Sequence, residues 1–186
     1  MFIQTEATPN PSTLMFLPGR IVAGPNPADF RNAGEAQARS PLAAALFDIE
    51  GVREVFLGSD FVSVTKDERD WSHLKPVVLG ALMEHFVANA PVFADGEDAS
   101  AAEDEFFDAG DAEAVDEIKE LIETRVRPAV AGDGGDIRFR GFKNGTVFLS
   151  MKGACSGCPS STATLKHGIE NLLRHFVPQV QAVEQI

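Results

Sequence analysis

Two residues of this 186-residue chain have the type and spacing to do chemistry: Cys155 and Cys158, its only cysteines. They lie in Gly153-Ala154-Cys155-Ser156-Gly157-Cys158-Pro159-Ser160-Ser161, where the glycines permit a tight loop and expose backbone N–H groups. Two thiolates three positions apart can converge on one metal centre. Pro159 suits the first position of a helix, which makes Cys158 the N-cap. A sulfur there meets the positive end of the helix dipole, so its thiolate form is favoured. The chemistry on offer is soft-metal ligation or redox exchange.

Ligand counting narrows what the pair can do alone. An iron–sulfur cluster takes four cysteine ligands, and structural zinc takes four Cys or His. His167 lies about two and a half helical turns past Cys158, too far to complete its shell. Like His175, it reads as a surface or packing residue. The simplest closed site is built by two chains, each giving Cys155 and Cys158 across a two-fold axis. A cluster held by so few protein bonds suits a carrier. Two other readings stay open: a thioredoxin-like dithiol and a zinc-bridged interaction module. Against the dithiol, that fold sets the motif near its start, whereas only 28 residues follow Cys158 here. Ser160 and Ser161 either donate toward cluster sulfur or satisfy helix N–H groups. Lys152 and Lys166 either offset the charge of a thiolate-bound centre or are simply solvated.

The elements that must position this loop read as α-β-β-α-β. Asp111 caps a helix whose apolar face is Val115, Ile118, Leu121, Ile122 and Val126, and Pro128 ends it. Asp133-Gly134-Gly135-Asp136 reads as a turn with both glycines at positive φ and Asp136 bonding nearby backbone, rather than as a metal loop. Strands over 137–142 and 146–151 flank Asn144-Gly145, a strong hairpin signal. A helix over 159–176 carries Leu165, Ile169, Leu172 and Phe176 on one face, and 180–186 forms the last strand.

Residues 1–94 read as a second small α+β domain. Strands over 2–8 and 13–17 flank Pro9-Asn10-Pro11. Ser40 caps a helix opened by Pro41, strands over 52–57 and 61–65 form a hairpin, and 71–87 has the spacing of a core-facing helix. Trp71, His73 and His85 read as structural. Between the domains, residues 95–113 hold nine acidic side chains and no Lys or Arg, the composition of a flexible tether. Phe106-Phe107 is its exception, a pair able to dock on a neighbouring surface. The fold class is therefore α+β: two small two-layer domains, 1–94 and 114–186, joined by an acidic linker over 95–113.

Charge excludes some functions. The net charge is −12, so nucleic acid is not an expected partner. Most of that charge sits in the linker. Residues 114–186 carry 9 basic and 8 acidic side chains, so two such domains can meet around an anionic cluster without strong repulsion. No run of 18 uncharged apolar residues exists, which argues against a spanning helix and a membrane partner. Met1–Glu6 has the marks of neither a signal nor a transit segment, so the expected localisation is cytoplasmic, of bacterial type. No Ser/His/Asp set, catalytic carboxylate pair or phosphate loop is present, and no enzymatic activity is expected.

Val126-Arg127-Pro128, Asp133-Gly134-Gly135-Asp136 and Gly153-x-Cys155-x-x-Cys158-Pro159-Ser160-Ser161, in this order and spacing, resemble the C-terminal domain of NifU-like iron–sulfur proteins. Gln4-Thr5-Glu6-x-Thr8-Pro9-Asn10-Pro11, followed by Leu14-Met15-Phe16, resembles the N-terminal domain of Nfu-type members. The resemblance implies an iron–sulfur cluster assembly or carrier protein with Cys155 and Cys158 as ligands. It implies a 4Fe–4S cluster bridged in a homodimer (2Fe–2S being the alternative), handed to apo-proteins and received from an upstream assembly scaffold. The N-terminal domain is expected to help recognise those partners.

Overall fold

Alternating apolar residues build one sheet in each half of the chain. The computed structural model describes residues 1–94, 105–156 and 159–186, apart from the Ser161 side chain, and it divides into two units, Met1–Ala101 and Ala102–Ile186. Cys158 and residues 95–104 of the expected linker lie outside the described residues.

The first unit has the elements β1 (Gln4–Ala7), β2 (Thr13–Leu17), β3 (Ala28–Phe30), α1 (Ala33–Arg39), α2 (Pro41–Phe47), β4 (Val52–Leu57), β5 (Val62–Lys66) and α3 (Trp71–Val87). Its strands are all antiparallel, in the order β1-β2-β5-β4-β3. Asn10 turns the first hairpin: its Oδ1 accepts from the Ser12 N–H at 3.0 Å, while the Thr8 hydroxyl donates to the Asn10 and Thr13 carbonyls. Ser40 ends α1 and caps α2, accepting from the Ala43 N–H at 3.1 Å. Phe16, Phe30, Leu42, Leu46, Val64 and Leu82 are among the side chains that fill this core.

Four expectations change here. β3 and α1 have no counterpart in the sequence reading, and the strand expected over 61–65 runs one residue later. Trp71 and His85 are structural as expected, whereas His73 is exposed. The Trp71 indole N–H donates to the Pro11 carbonyl, His73 meets the Ser72 hydroxyl, and His85 is buried.

The second unit has β6 (Phe106–Phe107), a 3₁₀ turn (Ala109–Asp111), α4 (Ala112–Leu121), a π-helical turn (Ile122–Val126), α5 (Arg127–Gly132), β7 (Gly135–Lys143), β8 (Thr146–Gly153), α6 (Pro159–Phe176) and β9 (Ala182–Gln185). The sheet order is β6-β7-β8-β9; β7 and β8 are antiparallel, and both outer pairs are parallel. Asn144 and Gly145 turn the central hairpin with φ of 52° and 75°, the left-handed pair that a two-residue turn requires. Val115, Ile118, Ile122, Ile137, Leu149 and Leu173 lie at the heart of its core.

The α-β-β-α-β order is present, with β6 added before it. Phe106-Phe107 docks as an edge strand and α4 starts at Ala112, so the folded unit reaches to the N-terminal side of residue 114. Asp111 stands at the N-cap of α4, but its side chain makes no capping bond. Pro128 does not end the helix, contrary to expectation. The chain passes through the π turn and continues as α5, with Pro128 in its first turn, where a missing N–H costs least. The last strand is shorter than expected, Ala182–Gln185.

Candidate functional site

The loop that carries Cys155 is shaped from both sides. β8 ends at Gly153, whose φ of 71° only glycine adopts freely. The Ala154 N–H donates to the Gly134 carbonyl at 3.2 Å, joining the loop to the start of β7. Ser156 closes the turn, its N–H and its hydroxyl both donating to the Gly153 carbonyl. From the helix side, the Thr162 hydroxyl donates to the Cys155 carbonyl at 2.7 Å. That bond fixes Cys155 against the first turn of α6. Nothing in the motif pattern signalled it; a Thr one turn into the helix was the only trace.

Cys155 is a free cysteine, 7% exposed, packed into the core of its unit. Burial, and then the charge of Asp133, push its thiol up to about 11. The sequence reading placed a stabilised thiolate at Cys158, which lies outside the described residues. At Cys155 the surroundings favour the neutral thiol. A soft metal arriving here must displace that proton, and the exchange makes its binding depend on pH.

Asp133–Asp136 does not behave quite as the turn reading expected. Gly134 has a φ of 81°, as a turn glycine should. Gly135 is required for a different reason: a β-carbon there would stand 2.6 Å from the Lys152 carbonyl oxygen and 3.0 Å from the Cys155 Sγ. Asp136 does not satisfy nearby backbone. It is buried and accepts from the Arg127 guanidinium at 2.8 Å and from Arg138 at 3.3 Å. Arg127 also reaches Glu123 at 2.7 Å. An ion-pair network therefore braces the strand on which the Cys155 sulfur rests.

Lys166, His167 and His175 fall away from the loop. Lys166 pairs with Glu184 at 3.3 Å. His167 and His175 are exposed on α6, and His175 meets the Phe176 ring edge-on at 5.0 Å. Among the described residues no group of three or more His, Cys, Asp or Glu could hold a metal ion, and no helix is long and apolar enough to cross a membrane.

Comparison with known proteins places these features in a family. The NifU-like domain matches residues 118–184, and the domain described as scaffold protein Nfu/NifU N terminal matches residues 3–89. NifU-like protein 5, mitochondrial, of Arabidopsis thaliana is 53% identical over 188 residues, covering 100% of this chain and 68% of that protein. The chain belongs to the NifU-like family. NifU-like protein 4, mitochondrial, from the same plant is also 53% identical, with 100% and 66% covered. The NFU1 iron-sulfur cluster scaffold homolog, mitochondrial, of Drosophila ananassae is 48% identical, with 100% and 64% covered. This NifU-like chain thus spans about two thirds of the length of these relatives. The expectation of a bacterial-type cytoplasmic protein is overturned, because all three relatives are named as mitochondrial. An N-terminus without a recognisable leader carried that expectation, and such a stretch says nothing about where the chain works.

Proposed function

We propose that this NifU-like protein is an iron–sulfur cluster carrier and not an enzyme. Two copies hold one 4Fe–4S cluster between them through Cys155 and Cys158 of each, and they pass it to apo-proteins. The observation that carries the reading is the free Cys155 thiol at the β8–α6 junction, in the loop where a second cysteine follows three positions later. The scaffold role in the fly relative's name and the mitochondrial setting in all three names accord with it.

Transfer is ligand exchange. A recipient thiol gives up its proton and takes an iron, and the released Cys155 thiolate takes up a proton in its place. Burial supports that release, since the freed thiol holds its proton up to about pH 11. No electron is transferred and the chain is unchanged afterwards. The N-terminal unit serves recognition of recipients or of the upstream scaffold.

Anaerobic reconstitution with iron and sulfide tests this. About four irons per dimer, bound on a chain that dimerises as it loads, is the expected result. Iron held by a monomer would sink the bridging. Cys155→Ser should abolish stable loading, and a full cluster on that variant would remove Cys155 as a ligand. Insulin reduction by the apo-protein would favour dithiol exchange instead.

A further inference from the structure

The edge of the C-terminal sheet carries a feature that cluster ligation does not use. β6 is two residues long and pairs parallel with β7, Phe106 opposite Gly141 and Phe107 opposite Phe142. Phe106 fills the space that Gly141 leaves: a β-carbon there would stand 2.5 Å from its ring. The same ring lies 5.2 Å from Phe148 of β8, which pairs with Gly141. Phe148 alternates with the core residues Val147 and Leu149, so Phe106 lies on the sheet face turned away from the core.

Phe107, one residue on, takes the other face. Lys119 of α4 holds its ammonium 5.9 Å from the Phe107 ring centre and 5.5 Å from that of Phe139. It also pairs with the Glu105 carboxylate. Three side chains in a row thus meet two receptors: Glu105 and Phe107 share the Lys119 ammonium, and Phe106 fills the Gly141 notch. Yet both rings are still about two-fifths exposed, 42% and 41%, and the strand pairing is the shortest in the molecule's described sheets. The hold is specific in chemistry and small in extent. Strand addition at a sheet edge draws affinity from the backbone and selectivity from such side-chain receptors.

We propose that the β7 edge around Gly141 is a docking site for an extended segment of a partner protein, carrying an acidic residue followed by two aromatics, and that Glu105–Phe107 occupies it in cis until that segment takes its place. The reading goes beyond cluster ligation and does not depend on it.

The test uses the full chain and a synthetic peptide with the sequence of residues 104–110, Asp-Glu-Phe-Phe-Asp-Ala-Gly, followed by NMR. In the Phe106→Ala/Phe107→Ala variant the peptide should bind saturably and shift Gly141, Phe148 and Lys119. The intact chain should bind it at least about tenfold more weakly, because the tethered segment competes at high effective concentration. Lys119→Glu should weaken binding, and a peptide with Lys in place of its Glu should restore it. No binding to the vacated edge, or equal affinity for both chains, overturns the proposal. A second measurement needs no variant: in the wild-type chain, Phe107 and its β7 partner amides should exchange hydrogen at least about a hundredfold faster than the β7–β8 ladder. Equal protection would show a fixed strand and overturn displacement. Self-association of the intact chain that disappears in the double variant would give the edge to a second copy and overturn the heterologous partner.

Discussion

Gly135 and Cys155 touch: a β-carbon on the glycine would stand 3.0 Å from the cysteine sulfur. The sulfur therefore packs over the strand at Gly135, and any side chain there would crowd it. In Gly135→Ala the added methyl also meets the Lys152 carbonyl oxygen at 2.6 Å, a backbone atom with little room to move. The variant should lose about 1–3 kcal/mol, the range for overpacking, and its Cys155 should react faster with iodoacetamide. Gly132→Ala is the control. It sits at the end of α5 with open space around it and should change stability by less than about 1 kcal/mol. Equal losses in the two variants would mean that contact with Cys155 does not matter.

The Cys155 thiol imposes a pH limit on the apo-protein. Its folded value of about 11 lies above the ordinary 9.0. A raised value means that the folded state prefers the proton. The resulting stability is complete below pH 9 and is lost as pH rises from 9 through 11. Chemical denaturation across that window should show the decline in the wild type and a flatter profile in Cys155→Ala. Parallel profiles would sink the assignment.

Asp136 is the shared anchor of Arg127 and Arg138. Asp136→Asn keeps the shape and removes the charge, leaving a half-buried guanidinium without its principal counter-ion. A loss of about 2–3 kcal/mol follows, below the full figure for a wholly buried pair because Arg138 is partly exposed. Amide signals of the C-terminal unit during urea unfolding provide the measurement. An unchanged midpoint would show that the network adds no stability.

His85 should make the N-terminal unit sensitive to acid. Burial lowers its pKa from 6.5, against a smaller opposing pull from the backbone at Ala90 and Pro91, and its Nε2 has no hydrogen-bond partner. A lowered value means that the folded state prefers the neutral ring. That stability is present above pH 6.5 and falls away as pH drops below it. Trp71 is the only tryptophan and lies in this unit, so its fluorescence follows the unit alone. His85→Leu should flatten the acid side of the profile and stay within about 1 kcal/mol of wild type at pH 7.5.

Local chemistry was the part of this fold that could be read in advance. Ser40-Pro41, the apolar spacing of 71–87 and the Asn144-Gly145 turn each act through neighbours a few positions away, and each element formed where expected. What stayed hidden depends on partners distant in sequence. β3 is three residues long and exists by pairing with β4. Asp136 looked like a turn residue because Arg127 lies nine positions back, beyond any turn. Gly135 was assigned to a turn conformation when its real constraint is a carbonyl and a sulfur on the facing segment. At the candidate site, Cys155 was visible from its spacing, while the Thr162 bond that holds it was not.

The π turn at Ile122–Val126 governs how this domain tolerates change in length. One residue more or less in a helix turns everything after it by about 100°. A wide turn of this kind is a place where an extra residue has been taken up without that rotation spreading. Deleting Thr124 would therefore let α4 and α5 join as an ordinary helix with Arg127 still facing Asp136. The local hydrogen bonding would improve and the strand beneath Cys155 would keep its brace. The wide turn, and not residue identity alone, lets chain length vary here while the helix stays in phase with the cysteine loop.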